Sequence, residues 1–147
     1  MIYRILGELE IGPGGRLIDL PGGPTLTILA TLLANPNRRI SKTELIRAAW
    51  GSDEVEEAQL YKRIKVVRDL LTDIGRGADL KTHARFGYEL RVPEDDIDVL
   101  LFQRLMRNAD AALAERRAVD EIDCLRRALR LWRGAHPLSN VPSDALR

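Results

Sequence analysis

LYKRIKVVRDLL, from Leu60 to Leu71, is an apolar and basic segment that predicts an amphipathic helix. Its apolar residues recur at the spacing i, i+4, i+7 and i+11, which places them on one helical face: Leu60, Ile64, Val67 and Leu71. The basic residues fall mainly off that face, and no acidic residue occurs between Leu60 and Val67. Such a helix can bury one side and present a cationic side to a partner, although a charged face is more often simply solvated. The neighbouring segments must decide between these two interpretations.

The overall composition is that of an ordinary globular protein. The chain has 147 residues, of which 45% are hydrophobic and 31% charged, enough for one compact domain or two small ones. No apolar run approaches the roughly 18 residues that span a bilayer, so we expect no membrane association. Cys124 is the only cysteine, which excludes an internal disulfide and favours a cytoplasmic setting. The net charge of +1 carries no signal for nucleic acid, so any cationic surface must arise locally.

The N-terminal segments predict a small sheet followed by a buried helix. Residues 2–6, 8–11 and 16–20 alternate apolar and polar side chains around glycine-rich turns, which predicts three short antiparallel strands. The apolar run from Leu26 to Leu33 predicts a buried helix that ends at Asn35-Pro36, because a residue before proline is disfavoured in the helical region.

A second helix, the basic helix and a hairpin follow in that order. Ser41–Glu44 is a capping box that opens the second helix, and Trp50-Gly51 ends it. The basic helix comes after an acidic loop, and Leu80–Val92 predicts two strands with a turn near residues 85–87. A sheet, three helices and a hairpin in this order predict an α+β fold, a winged helix-turn-helix.

The chain after Pro93 predicts a separate helical unit. Segments Asp98–Leu113 and Ala118–Trp132 keep helical spacing and predict a TPR-like helical hairpin. A lone helix pair buries its inner face poorly, and stacked repeats normally supply the missing surface. Ser143-Asp144 predicts the cap of a further helix.

We therefore expect two domains. Residues 1–93 would form the winged helix-turn-helix with its N-terminal antiparallel sheet and C-terminal hairpin wing. Residues 97–147 would form the N-terminal part of a longer all-α domain.

No residue pattern predicts an enzyme. The two histidines, His83 and His136, share no helical face with a carboxylate cluster or with Cys124, so neither a metal site nor a cofactor is expected. The acidic run at residues 95–98 is more typical of a linker with a helix cap than of a cation site. There is no phosphate-binding GxxxxGK segment and no serine elbow.

Double-stranded DNA is the partner that the basic helix and hairpin favour, because lysine and arginine gain affinity from phosphates by releasing counterions. The candidates for reading base edges in the major groove are Gln59, Tyr61, Lys62 and Lys65. The candidates for phosphate contacts are Arg38, Arg39, Lys42, Arg63 and Arg68. The candidates in the wing are His83 and Arg85, since a narrow minor groove attracts arginine.

Three segments resemble OmpR-type winged helices: ISKTELIRAAWG (Ile40–Gly51), LYKRIKVVRDLL and KTHARFGYEL (Lys81–Leu90). Beyond them, DVLLFQRLMRNADAAL and CLRRALRLWRGAHPLSNV resemble the opening of a bacterial transcriptional activation domain. The order of these two modules resembles that of the Streptomyces antibiotic regulatory protein family, whose members activate secondary-metabolite gene clusters.

This resemblance implies a transcriptional activator that binds direct repeats near a promoter, as a dimer or as copies side by side, and recruits RNA polymerase through its sigma or alpha subunit. It also implies that the third helix enters the major groove, that the wing touches the minor groove, and that residues 51–57 are candidates for contacting polymerase. A nucleoid-associated protein of the bacterial cytoplasm is the expected setting.

Two alternatives remain open from the residues alone. In the first, the winged helix is a scaffold for protein–protein interaction, which would be favoured if nearby acidic residues neutralised the face around Lys62: Glu54, Glu56, Glu57 and Asp69. A metal-dependent enzyme is the more distant second alternative.

Overall fold

The helices and strands below are taken from a computed structural model that describes residues 1–142. In chain order they are β1 (Tyr3–Arg4), β2 (Glu10–Ile11), α1 (Gly23–Ala34), β3 (Ile40–Ser41), α2 (Lys42–Trp50), α3 (Glu57–Asp73), β4 (Leu80–His83), β5 (Gly87–Leu90), α4 (Asp98–Ala114) and α5 (Ala118–Arg130). Short 3₁₀ turns occupy Pro13–Gly15, Gly77–Asp79 and Glu94–Asp96. The predicted helix cap at Ser143-Asp144 lies outside the described residues.

The apolar face of α3 lies at the centre of the core, as its sequence spacing predicts. Leu60, Ile64, Val67 and Leu71 are each at most 2% exposed. Helix α1 packs against α2 and α3 and is buried continuously from Thr25 to Leu33. The predicted α+β winged-helix fold is confirmed.

The start and the end of α2 follow the chemistry of its terminal residues. The Glu44 amide donates to Ser41 Oγ at 3.0 Å, so the predicted serine cap is formed. Gly51 ends the helix with φ 70°, a left-handed conformation that glycine adopts without steric cost.

Strand pairing differs from the sequence prediction in two places. The expected strand at residues 16–20 is wrong, although Ile18 and Leu20 are half-buried against the core as the alternation predicts. The segment forms one hydrogen bond to β2, from the Ile18 amide to the Ile11 carbonyl at 2.8 Å, and no ladder. Conversely, β3 was not predicted, because two residues are too few to show alternation. It pairs antiparallel with β5, which pairs antiparallel with β4, so the wing is a three-stranded sheet in the order β3-β5-β4.

Gly87 allows this third strand to approach. A Cβ atom at Gly87 would lie 1.9 Å from the Ile40 carbonyl oxygen, so any larger residue would push β3 away from β5. The glycine of the Gly-Tyr pair is therefore required by backbone contact.

Helices α4 and α5 form the predicted hairpin, but the face predicted for the second helix is only partly covered. Its apolar residues at helical spacing are Ile122, Leu125, Leu129 and Trp132, of which Leu125 and Trp132 are half-buried. Ile122 and Leu129 are 47% and 70% exposed, whereas the small Ala128 is buried. Small side chains allow two helices to approach closely, which explains why α5 turns Ala128 inward. Phe102 of α4 stacks edge-on against Trp132, with the ring centroids 5.9 Å apart.

The segment containing β1 lies between the winged helix and the helical hairpin. Asp98 at the start of α4 is 1% exposed, and its carboxylate accepts the amides of Ile5 and Leu6 at 2.9 Å each. From beyond α5, the Leu138 amide donates to the Ile5 carbonyl at 2.9 Å, and the Leu138 side chain joins the core. The two predicted domains thus share the N-terminal segment, and the boundary at residues 93–97 stays a prediction.

Candidate nucleic-acid interface

The face of α3 opposite its buried stripe is exposed and largely cationic. All four candidates for reading the major groove are exposed: Gln59, Tyr61, Lys62 and Lys65. Lys62 lies at the centre of this face, since it is two residues from Leu60 and two from Ile64, which are buried. Within residues 1–142, the Lys62 ammonium has no hydrogen bond or ion pair. It is available to a ligand.

Lys65 is paired on the helix surface. Its ammonium lies 3.2 Å from Asp69 Oδ2, one turn further along α3, and both side chains are mostly exposed. An exposed pair of this kind contributes about 0.3–0.5 kcal/mol, so a strong anionic ligand can displace Asp69.

Lys42, Tyr61 and Glu57 form a hydrogen-bonded triad where α2 meets α3. The Lys42 ammonium donates to the Tyr61 hydroxyl at 2.9 Å, and this hydroxyl donates to Glu57 Oε2 at 2.5 Å. The ammonium also lies 3.5 Å from Glu57 Oε2 and 5.2 Å from the Tyr61 ring centroid. The hydrogen bond to Tyr61 and the Glu57 charge raise the pKa of Lys42. The hydrogen bond from Tyr61 and the Lys42 charge lower the pKa of Glu57.

Backbone amides at the start of α2 are already used within the fold. The Lys42 amide donates to the Phe86 carbonyl at 2.9 Å, and the Glu44 amide donates to Ser41. A phosphate at this helix end would therefore meet the Lys42 side chain instead of these two amides.

Arg68 and Arg63 lie on the two flanks of α3, close to the core. The Arg68 guanidinium donates to the Leu80 carbonyl at 3.2 Å and to Thr82 Oγ1 at 3.0 Å, which fastens α3 to β4. Arg63 is half-buried, and its Nε atom is buried without a hydrogen-bond partner among the described residues. Their assignment to phosphate contacts stays a prediction. For Arg68, a phosphate would have to bind the same guanidinium that donates to Leu80 and Thr82.

Arg38 and Arg39 are exposed in the connection between α1 and β3. Arg38 Nη1 donates to Asn35 Oδ1 at 3.2 Å. Within residues 1–142 neither arginine forms an ion pair, so both remain free to meet a phosphate.

The wing carries its candidates on different parts of the sheet. Arg85 is exposed at the tip with φ 67°. Thr82 bonds Arg68 of α3, and neighbouring residues of a strand face opposite sides, so His83 lies on the side away from α3. There His83 Nε2 lies 2.9 Å from Glu89 Oε1. The sheet does not bring His83 and Arg85 to one point.

Sequence reasoning missed one exposed group at the wing tip. Phe86, next to Arg85, is 48% exposed, as single apolar side chains on protein surfaces often are. An apolar residue between Arg85 and the required Gly87 was the available signal.

Acidic residues near α3 do not pair with Lys62. Glu57 pairs with Lys42, Asp69 pairs with Lys65, and Asp53 pairs with Arg47. Glu54 and Glu56 are exposed, and their side chains form no ion pair within the described part of the chain. The cationic face of α3 is therefore neutralised by direct pairs at its edges and not at its centre.

Residues 1–142 contain no cluster of three or more side chains able to hold a metal ion. In the same range, no helix has both the length and the apolar character needed to cross a bilayer.

Two family models match the chain in succession. Residues 22–90 match the family described as transcriptional regulatory protein, C terminal. Residues 97–147 match the bacterial transcriptional activator domain.

Two curated regulators are similar to the chain along nearly its whole length. It is 27% identical over 140 residues to the regulatory protein AfsR of Streptomyces griseus, covering 95% of this chain and 14% of that protein. It is 26% identical over 137 residues to the transcriptional regulator RedD of Streptomyces coelicolor, covering 89% of this chain and 39% of that protein. The chain thus spans only a minor part of the length of either relative.

Two solved structures resemble the fold. The structure of Mycobacterium tuberculosis EmbR in complex with a low affinity phosphopeptide is 26% identical, with a TM-score of 0.86, over 95% of this chain and 38% of that one. The DNA-binding domain of E. coli CadC is 24% identical, with a TM-score of 0.51, over 63% of this chain and 92% of that one, and it shows the shared winged-helix fold. Since the two domain matches follow each other here and both Streptomyces regulators are similar along nearly the whole chain, the chain resembles the Streptomyces antibiotic regulatory protein family of transcriptional regulators.

Proposed function

We propose that this chain is a sequence-specific DNA-binding activator of transcription. In this proposal, α3 lies in the major groove, with Gln59, Tyr61, Lys62 and Lys65 toward the base edges. The observation that carries it is the Lys62 ammonium, exposed at the centre of α3 without an acidic partner among the described residues.

Phosphates on either side of the groove would meet the remaining basic residues. Arg38, Arg39 and the Lys42 side chain lie on the segment that leads into α2, while Arg63 and Arg68 flank α3. Arg85 at the wing tip would enter the adjacent minor groove, with His83 on the side of the wing away from α3. These contacts would set the position of α3 on the duplex.

The promoter arrangement, the polymerase contact and the target genes are proposed from the family resemblance. Copies of the chain would bind side by side on direct repeats near a promoter, and the exposed loop at residues 51–57 and the helical hairpin would recruit RNA polymerase through its sigma or alpha subunit. Secondary-metabolite genes are the proposed targets, in view of the Streptomyces relatives. The alternative is a protein-interaction module, and a chain that failed to bind DNA would favour it.

The proposal is tested by DNA affinity as a function of salt. Using fluorescence anisotropy, we would titrate the protein into a labelled promoter duplex with direct repeats and into a scrambled duplex of equal length. The expected result is tighter binding to the repeats and an affinity that falls linearly on logarithmic axes, with a slope of about −0.9 per neutralised phosphate. Affinity that stayed constant between about 50 and 200 mM salt would reject DNA binding.

Removing the charges of Lys62 and Lys65 together is expected to weaken promoter binding by a few kcal/mol. The double variant Lys62→Ala, Lys65→Ala takes two cations from the face of α3 and leaves its buried stripe intact. Each side chain that reads a base contributes about 1–3 kcal/mol to binding. The matched control is Arg126→Ala, Arg130→Ala, which removes the same charge from exposed positions of α5. Equal losses of affinity in the two double variants would mean that only net charge matters.

Replacing Arg85 tests the wing. Arg85→Asn removes the cation while supplying a residue that tolerates the positive φ of this turn. We expect the salt slope to become shallower by about one and the preference for A·T pairs beside the site to weaken. Measuring both duplexes with A·T or G·C flanks checks this, and an unchanged slope would remove Arg85 from the interface.

A further inference from the structure

The triad of Lys42, Tyr61 and Glu57 lies at the edge of the proposed DNA-binding face. Tyr61 and Glu57 are one turn apart on α3, while Lys42 comes from the start of α2, so the triad also joins the two helices. The Lys42 side chain is 19% exposed and the Glu57 side chain 59% exposed. Glu57 is thus the member most accessible to an approaching ligand.

Within the triad, few hydrogen-bond donors are left for a phosphate. An ammonium has three N–H donors, and that of Lys42 lies within hydrogen-bonding reach of both Tyr61 and Glu57. The Tyr61 hydroxyl has a single proton, which it donates to Glu57. A DNA oxygen can therefore accept a hydrogen bond from Tyr61 only after Glu57 has released it.

We propose that Glu57 is an internal competitor for DNA, whose carboxylate occupies Lys42 and Tyr61 in the free protein and gives way to a phosphate on binding. This inference rests on the proposed function. A phosphate and the Glu57 carboxylate are both anions and both accept from Lys42 and Tyr61, so they repel each other and compete for the single Tyr61 proton. A phosphate can therefore bind both donors only when Glu57 has moved away. Glu57 thereby limits how tightly the chain holds any DNA backbone, whatever the base sequence.

The neighbouring acidic residue Glu56 does not hydrogen-bond to Lys42 or Tyr61. Glu56 precedes Glu57 directly and is exposed, but its side chain forms no hydrogen bond or ion pair among residues 1–142. It carries the same charge at nearly the same distance from the start of α3. Glu56 is therefore a matched control for the effect of charge alone.

The test compares Glu57→Gln with Glu56→Gln. Each variant removes one negative charge with almost no change in side-chain volume. On both the repeat and the scrambled duplex, we expect Glu57→Gln to bind about tenfold more tightly than the wild type at low salt, with a salt slope steeper by about one. Glu56→Gln should change the affinity by less than about threefold, since an exposed, unpaired charge acts only through the screened field.

Removing Lys42 tests whether the higher DNA affinity of Glu57→Gln depends on the proposed contact. When Tyr61 is removed as well, in a Lys42→Met, Tyr61→Phe background, Glu57→Gln should improve binding no more than Glu56→Gln does, since neither the ammonium nor the hydroxyl is left to release. A wild-type protein with no salt-dependent DNA binding would overturn the proposed function and this inference together. With wild-type binding intact, equal effects of the two glutamine variants, or weaker binding by Glu57→Gln, would overturn the inference alone.

Discussion

Replacing Asp98 by alanine is expected to lower the free energy of unfolding by about 2 to 5 kcal/mol. The Asp98 carboxylate is 1% exposed and accepts three hydrogen bonds from the Ile5 and Leu6 amides, at 2.9 to 3.0 Å. Alanine would leave both buried amides without a partner, and an orphaned buried donor costs about 1 to 3 kcal/mol. Burial raises the pKa of Asp98, while these amides and Arg133 oppose that rise.

The physical reason for this large effect is the position of Asp98 between two parts of the fold. Its helix belongs to the hairpin of α4 and α5, whereas its partners belong to the N-terminal segment that packs against the winged helix. Arg133, which follows α5, reinforces the junction by donating to the Glu8 carbonyl at 2.7 Å and by pairing with Glu10. Losing Asp98 should therefore weaken both parts at once.

Urea unfolding in single-tryptophan backgrounds measures this effect in each part separately. Trp132→Phe leaves Trp50 at the end of α2 as the probe, and Trp50→Phe leaves Trp132 beside α4. Asp98→Ala should shift both transitions. Asp110→Ala, an exposed position on the same helix, should shift neither. A shift seen by Trp132 alone would show that the helical hairpin unfolds independently.

Leu60→Ala is expected to destabilise the protein by a similar amount, about 2 to 5 kcal/mol. Leu60 is fully buried at the start of the apolar face of α3, so truncation removes its transfer energy and leaves a cavity that the surrounding side chains fill only in part. The matched control is Leu129→Ala, the same chemical change at a side chain that is 70% exposed.

Leu60→Ala should also weaken DNA binding. Leu60 lies between Gln59 and Tyr61, so a loosened first turn of α3 misplaces two proposed base-reading residues. We expect weaker promoter affinity below the unfolding transition, measured at a temperature at which circular dichroism shows the variant folded. Native affinity in a destabilised but folded variant would contradict the proposed position of α3 in the groove.

Local chemistry accounts for the parts of the fold that the sequence predicted well. The stripe from Leu60 to Leu71, the cap at Ser41 and the stop at Gly51 each depend on residues no more than a few positions apart, and such interactions can be recognised from spacing and residue type. The exposure of Lys62 follows from the same helical periodicity. Resemblance of these segments to a regulator family supplied the functional class, which the family matches then supported.

The candidate interface could be predicted only as a collection of residues. Spacing placed Tyr61 and Lys42 on exposed helix positions but carried no sign of the hydrogen bonds that join them to Glu57, since α2 and α3 meet only in the folded chain. The role of Arg68 in fastening α3 to β4 was hidden for the same reason.

Sequence alone therefore determined the helices of this protein, the buried face of α3 and the family of regulators that the chain resembles. Tertiary packing determined that residues 16–20 form no strand, that α5 turns Ala128 inward, and that Asp98 joins the helical hairpin to the N-terminal segment. The hydrogen bond from the Ile5 amide to Asp98 spans 93 positions of the chain. No local pattern encodes such a contact, because its partners become neighbours only when the core has brought β1 and α4 together.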